Sequence, residues 1–396
     1  MENLEKRLME EIILSGMLIT PLIFAPFLRD GFALPKVSVI RLFSVILLFP
    51  LAAQLKKIQL NKMNILILMY LILNIVAAFL SVTPSVSLRG RYLYYFGGAL
   101  QLLCFTVFFF SVQIAGRAFK TSGIRKCVTV SSGIAALYGF AQFAGWDFAE
   151  WDIGFGRIFS TFGNPDFLAG FVVLAFPVIF YGFLMASKRK DKLFSGIVLA
   201  LLFFVLMAAK SRAGWLGFIA GFILLARAIG RESFRRVKFH FFIPIAVVIL
   251  FIAFGGRKWT FETPGIKSRI ICWKAALKPI IKRPVFGYGP DTFAEVITPY
   301  LPDDYASLTK KRGNPGYAHN IFIDIIVSTG FSGFTLFLLI LIEFFRSSKS
   351  AEMKAAVAGF LVFGFFSICE ITMWLYFWIF LAAGMKMEDG RVKEAL

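Results

Sequence analysis

The stretch YAHNIFIDIIVSTGFSGFTLFLLILIEFF, residues 317–345, decides how the rest of the chain is read. From Ile321 onward it is an apolar run longer than the ~20 residues that cross a bilayer as a helix. Yet His319, Asn320 and Asp324 stand in its first turns. Similar runs recur outward from it, at 11–28, 37–55, 64–82, 95–116, 127–146, 167–186, 193–209, 213–229, 240–255, 320–345, 355–371 and 373–385. The whole sequence agrees: 58% of its 396 residues are apolar, 49 are Phe, and the mean hydropathy is +0.76. The pattern predicts an all-α polytopic integral membrane protein, about twelve transmembrane helices in a single membrane domain over 1–396. The N-terminal MENLEKRLMEE is as acidic as it is basic, and no small-residue cleavage site follows the first run, so that run reads as a retained helix rather than a signal peptide.

The basic residues orient the chain. Clusters at Lys56/Lys57/Lys62, Arg117/Lys120/Arg125/Lys126, Lys188/Arg189/Lys190/Lys192, Arg231/Arg235/Arg236 and Arg346/Lys349/Lys354 all fall on one side if the N-terminus is cytoplasmic. The positive-inside rule then predicts both termini inside, and one long extracytoplasmic loop, 256–318, between spans nine and ten. A net charge of +20 would point to nucleic acid in a soluble protein; here it mainly reports topology, and no nucleic-acid partner is expected. The cations left on the long loop suit an anionic, phosphate-bearing substrate. Cys104, Cys127, Cys272 and Cys369 are scattered without metal-ligand spacing, so neither a disulfide framework nor a zinc site is expected. There is no internal repeat of the kind that marks a transporter's two halves, and the one large insertion favours an enzyme working at the outer face.

Four segments carry that face's chemistry. His319 is the imidazole of the outer side; it follows the turn-rich KKRGNPG and opens a helix, whose N-terminus disfavours a further positive charge and so keeps the ring available as a base. Asn320 and Asp324 share a helical face with Ser328, which predicts a polar stripe lining a cavity; Asn320 and Asp324 serve either the site or the cap of their own helix. In GIKSRIICWKAALKPIIKRPVFGYGP, an amphipathic helix is predicted over about 266–283, with Ile266, Ile270, Trp273, Leu277, Ile280 and Ile281 on its membrane side and Lys267, Lys274, Lys278 and Lys282 toward headgroups or water. Arg269 departs from the lysine face and points to the buried margin, where a guanidinium can grip phosphate. Gly287 and Gly289 of GYGP permit a tight turn or a close backbone approach to a ligand.

Lys210, Ser211 and Arg212 interrupt the apolar stretch between spans seven and eight, as an anchor or as phosphate ligands. In GRIFSTFGNPDFLAG, residues 156–170, Gly163-Asn164-Pro165-Asp166 is a turn and cap signal that brings Arg157 and Asp166 toward the same face. Arg89 and Arg91 sit among tyrosines of the interfacial belt and read as anchors, and Asp303-Asp304 reads as a solvated turn rather than a metal site.

FGNPDFLAG, SRAGWLG, SRIICWKAALKPIIKRPVFGYGPDTF and AHNIFIDIIVSTGFSGF, in that order, resemble the O-antigen ligase family of bacterial envelope glycosyltransferases, whose domain some O-antigen polymerases share. The resemblance covers about 150–335. It implies a GT-C-like architecture in a bacterial inner membrane, a polyprenyl (undecaprenyl) diphosphate-linked glycan as donor, and lipid A-core or a similar surface acceptor, with membrane lipids as surroundings. It assigns His319 as general base on the acceptor hydroxyl and Arg212 and Arg269 as the diphosphate's ligands, with inversion at the anomeric carbon. Lys210, Arg157, Asn320, Asp324, Gly287 and Gly289 become candidate substrate contacts. Neither metal nor cofactor is expected, because two guanidinium groups replace a cation. A polymerase extending the glycan on its carrier, or a transporter or flippase of lipid-linked sugars, are the alternatives.

Overall fold

A computed structural model describes residues 2–116, 121–149, 151, 156–229, 248, 264–309 and 315–385. Among them the chain is helical throughout, without strands. Its α-helices are α1 (Glu2–Ile19), α2 (Ala33–Ala53), α3 (Lys62–Phe79), α4 (Pro84–Arg89), α5 (Ala99–Ala115), α6 (Thr121–Phe143), α7 (Pro165–Met185), α8 (Arg189–Ala208) and α9 (Arg212–Ala228). There follow α10 (Pro264–Lys282), α11 (Phe293–Ile297), α12 (Tyr305–Thr309), α13 (Ile321–Ser347), α14 (Ala351–Phe366) and α15 (Ile371–Gly384). Of these, α2, α3, α7, α8 and α13 have both the length and the hydropathy to cross a membrane, and α5 and α15 are shorter apolar helices. This is a multi-pass membrane protein. The run at 240–255 and His240 lie outside the described residues, apart from Val248, as do 256–263 and 310–314 of the long loop.

Most expected spans coincide with a helix to within a few residues. The first does not: α1 ends at Ile19 rather than 28, because Pro21 has no N–H to continue the ladder and restricts Thr20 before it. The last two runs meet at a break, where Ser367–Glu370 separate α14 from α15 and Glu370 becomes the cap of α15, its carboxylate accepting from Thr372 N at 2.9 Å and Thr372 Oγ1 at 2.9 Å.

Close backbone approach organises the bundle. α9 and α14 form its most extensive pair, meeting where Gly217 and Gly221 face Ala355 and Gly359 with no room for a side chain, the small-xxx-small packing of helices in lipid. α7 packs against α8, α9 and α14 and buries nearly its whole surface, while α1, α2 and α5 form a second group with α15. Lys36 of α2 is fully buried between these groups: its ammonium lies 3.4 Å from Glu370, donates to Thr161 O at 2.9 Å and stands 4.2 Å from the Phe162 ring centre.

α13 is broken at Gly330, whose φ of 66° and ψ of −169° are not helical. The break frees the N–H groups of Phe331 and Ser332 and the carbonyls of Val327 and Ser328, which an unbroken helix would pair with one another. The segment after α10 takes up all of them. Phe331 N donates to Pro284 O at 2.7 Å and Ser332 N to Val285 O at 3.3 Å, while Tyr288 N donates to Val327 O at 2.9 Å and Gly289 N to Ser328 O at 2.8 Å. Gly287, with a φ of 66°, lets this segment lie directly on the α13 backbone, and Gly289, with a φ of 106°, lets it pass against Ser81 and Ser87.

Gly330→Ala should therefore be costly: a Cβ there meets the backbone of Pro284 and Val285 and forces an L-residue to positive φ. A loss of at least ~1–3 kcal/mol is expected, with accelerated hydrogen exchange at Phe331 and Ser332. Gly196→Ala, whose Cβ finds ordinary contact with Phe183 inside α8, should be neutral or stabilising in the same thermal-unfolding assay.

Candidate active site

Three helix N-termini and α10 meet at one end of the bundle. At α7, Asn164 caps the helix through Asp166 N at 2.8 Å, with Pro165 in the first turn. The segment before it is pinned to its neighbours: Ser160 Oγ donates to Ala135 O at 2.6 Å, Ser160 N to Gln142 Oε1 at 2.6 Å, and Thr161 Oγ1 to Pro21 O at 2.5 Å. That rigid turn presents Arg157, whose guanidinium donates to Ala209 O at 3.2 Å and Lys210 O at 3.4 Å and lies 3.8 Å from Asp166 Oδ1. The carbonyls it holds end α8. Lys210 then takes a left-handed φ of 49°, Ser211 caps α9 through Gly214 N at 3.3 Å, and Arg212 is the first helical residue. Beside Arg157 and Lys210 opens a cleft of about 450 Å³ whose walls include Gln142, Asp147 and Trp151.

Arg269 completes the basic group. Burial lowers its pKa from the ordinary guanidinium value, and the Asp166 charge acts the other way, which places the two side chains in one electrostatic neighbourhood. One turn further along α10, Trp273 Nε1 donates to Ala318 O at 2.8 Å. Ala318 N donates to Asp324 Oδ1 at 2.8 Å, and Asn320 Oδ1 accepts from Phe322 N at 3.0 Å and Ile323 N at 3.2 Å. His319 lies between these fixed neighbours with a left-handed φ of 55°, a conformation that a non-glycine residue keeps only when its surroundings impose it.

Contacts run from the carbonyls before α9 through Arg157 to Asp166, and separately from Trp273 of α10 to Ala318, the residue before His319. The other sequence candidates stand differently. Asn320 is the cap of α13, and Asp324 ties down the preceding loop through Oδ1 while, with Ser328, lining a cavity also walled by Asn74, Asp291 and Tyr317. Gly287 and Gly289 lie against the α13 backbone. Arg91 ion-pairs with Glu295, and its N–H donates to Asp291 Oδ2 at 2.5 Å.

α10 buries a face that its hydropathy pattern does not announce. Ser268, Cys272, Ala275 and Ala276 pack against Tyr305, Phe293 and Ala318, with a 2.8 Å bond between Ser268 Oγ and Tyr305 OH. Leu277 and Ile281 remain 58% and 76% exposed, beside Lys274 and Lys278. The buried pairs Lys36–Glu370 and Asp291–Tyr317 were not foreseen; the one available signal was a charge within or beside an apolar run.

The described residues form a helical multi-pass membrane protein in which Arg157, Lys210 and Asp166 gather beside the start of α9, and α10 is tied to the residue before His319. Residues 197–338, which contain Arg212, Arg269 and His319, match the family model of the O-antigen ligase. The chain is 24% identical over 204 residues to "Putative polysaccharide ligase RP358" of Rickettsia prowazekii (strain Madrid E), covering 47% of this chain and 48% of the relative. It is 23% identical over 215 residues to "Putative polysaccharide ligase" of Rickettsia felis (strain ATCC VR-1525 / URRWXCal2), covering 50% of each. The chain thus spans about half the length of these curated relatives. No solved structure matches it.

Asp291 gives a pH signature. Burial raises its carboxyl above the usual carboxylate value, against the lowering effect of the bonds from Tyr317 OH and Arg91 N. A group that holds its proton more tightly when folded makes stability fall as pH rises from about 4 to its raised pKa, and leaves it level above. The Tm of wild type minus that of Asp291→Asn should therefore decline over that window, measured by thermal unfolding in detergent from pH 4 upward; a flat difference would show that the carboxyl titrates normally.

Proposed function

We propose that the protein moves a glycan from a polyprenyl (undecaprenyl) diphosphate carrier to a hydroxyl of lipid A-core or a similar surface acceptor, with the α10 end of the bundle facing the periplasm from a bacterial inner membrane. The observation that carries this reading is the Trp273–Ala318 hydrogen bond, which ties α10, one turn beyond Arg269, to the residue before His319. The ligase-family match and the names of the curated relatives support glycan transfer as the class of reaction.

In this mechanism His319 accepts the proton of the acceptor hydroxyl as its oxygen attacks the anomeric carbon. The bond from that carbon to the diphosphate oxygen breaks, its electron pair leaves with the diphosphate, and Arg269 and Arg212 neutralise the charge that develops there. Attack opposite the leaving group inverts the anomeric centre. Arg157 and Lys210 border the cleft available to the donor's polar part, and Asp166 pairs with Arg157. Two guanidinium groups supply the neutralisation for which other transferases use a divalent cation.

The test is transfer by purified protein supplied with carrier-linked glycan, with and without acceptor. His319→Ala is expected to lower kcat by ~10²–10⁴-fold and Arg269→Ala by ~10²–10³-fold. Chelator should leave the rate unchanged, and the product linkage should be inverted by NMR. Chain growth without acceptor would replace the ligase reading by the polymerase one, and undiminished transfer in His319→Ala would remove this imidazole from the chemistry.

A further inference from the structure

Two adjoining clefts lie at the opposite end of α10 from Arg269. Between α3 and α13, just below the break at Gly330, runs an apolar groove of about 770 Å³ walled by Ile72 and Val76 on one side and Phe331 and Thr335 on the other. Phe286, 52% exposed, closes its upper end and also belongs to a second cleft of about 290 Å³ that contains Leu80 and Arg283. The two clefts therefore adjoin. Along α3 their walls extend from Met69 to Leu80, which at 1.5 Å per residue is ~16 Å, the depth of one leaflet's hydrocarbon. The upper end is basic: Arg283 stacks over the Tyr288 ring at 4.9 Å and Lys282 over Tyr300 at 5.2 Å, and both cations are exposed. An apolar slot one leaflet deep with fixed cations at its mouth matches an amphiphile with a hydrocarbon tail and an anionic head.

We propose that this groove holds one hydrocarbon chain of a phosphate-bearing lipid from the leaflet on the α10 side, with the phosphate against Arg283. Arg269 lies fourteen positions before Arg283 in the sequence, ~21 Å along a helix, so the site is separate from the proposed diphosphate pocket. The kink makes room for the chain, since α13 must bend at Gly330 while the 284–289 segment roofs the gap. This inference does not depend on the glycosyltransferase reading.

The full-length protein would be placed in phosphatidylcholine nanodiscs doped with a probe lipid carrying a diazirine on its acyl chain. The probe bears either a phosphatidylglycerol or a phosphatidylcholine head, and cross-linked peptides are mapped by mass spectrometry. The phosphatidylglycerol probe is expected to label 69–76 and 331–336 about fivefold more than its phosphatidylcholine counterpart, the preference that one basic residue at a membrane surface confers. Arg283→Glu should abolish that preference, and Thr335→Trp, which fills the groove, should lower labelling by both probes in a protein that remains monodisperse. Equal labelling by the two probes in wild type, a preference that survives Arg283→Glu, or labelling undiminished by Thr335→Trp would each overturn the proposal.

Discussion

A helix broken inside a bilayer must have its opened backbone groups answered by protein, since hydrocarbon offers them nothing and each unsatisfied group costs several kcal/mol. Gly330 creates that demand in α13, and the segment 284–289 meets it donor for donor and acceptor for acceptor. α10 is thereby joined to α13 twice: at the break, through the residues that follow its C-terminus, and at the start of α13, through Trp273 and Ala318. Between these attachments lies only the half-helix 321–329, ~13 Å long. Two fixed points on so short a strut leave α10 little freedom, so the position of Arg269 relative to His319 is a consequence of the break.

A second set of restraints is ionic. Lys36 and Glu370 are buried together, and their polar contacts reach Thr161 in the turn before α7 and Thr372 at the start of α15. Such a pair gives little net stability, because desolvating two charges offsets most of their attraction, but it penalises every arrangement that separates them. The turn carrying Arg157 is thus held in register with α2 and α15. Asp291 does the same for the loops, accepting from the N–H of Arg91 and from Tyr317 OH two residues before His319. At the other end of the bundle, Arg125 donates to Glu352 at 2.8 Å, a comparable lock far from the site.

The helices were largely legible because long apolar runs bounded by charges and turn formers recur along the chain, and Pro21 accounts for the one that shifted. The helix at 264–282 was legible from its period, but its packed face was not: hydropathy ranks Ile and Trp above Ser268, Cys272 and Ala276, whereas close approach to Tyr305 and Ala318 selects small residues. GYGP signalled a close backbone approach, yet the backbone approached is some forty residues away, and nothing local names it. Asn320 and Asp324 were visible as polar residues opening a membrane helix. Capping and substrate contact call for the same side chains, so only their bonds to Phe322, Ile323 and Ala318 show what their oxygens do in the fold. Lys36 escaped notice because it borders a predicted span, where a lysine is ordinarily solvated.

Arg212 is the residue whose position stability alone would not select. As the first residue of α9 it places a cation at the positive end of a helix dipole, an arrangement that costs about 0.3–1 kcal/mol at an exposed terminus and more where water is scarce. The N-termini of α7 and α13 enter the same end of the bundle, and Arg157 and Arg269 add their charges there while Asp166 is the carboxylate that reaches both. The first turns of α7 and α13 carry Asp166 and Asp324, which answer the positive end of the helix dipole, whereas α9 begins on a cation. On the proposed reading, an anion at the start of α9 would be favoured both by the N–H groups of the helix terminus and by the Arg212 guanidinium.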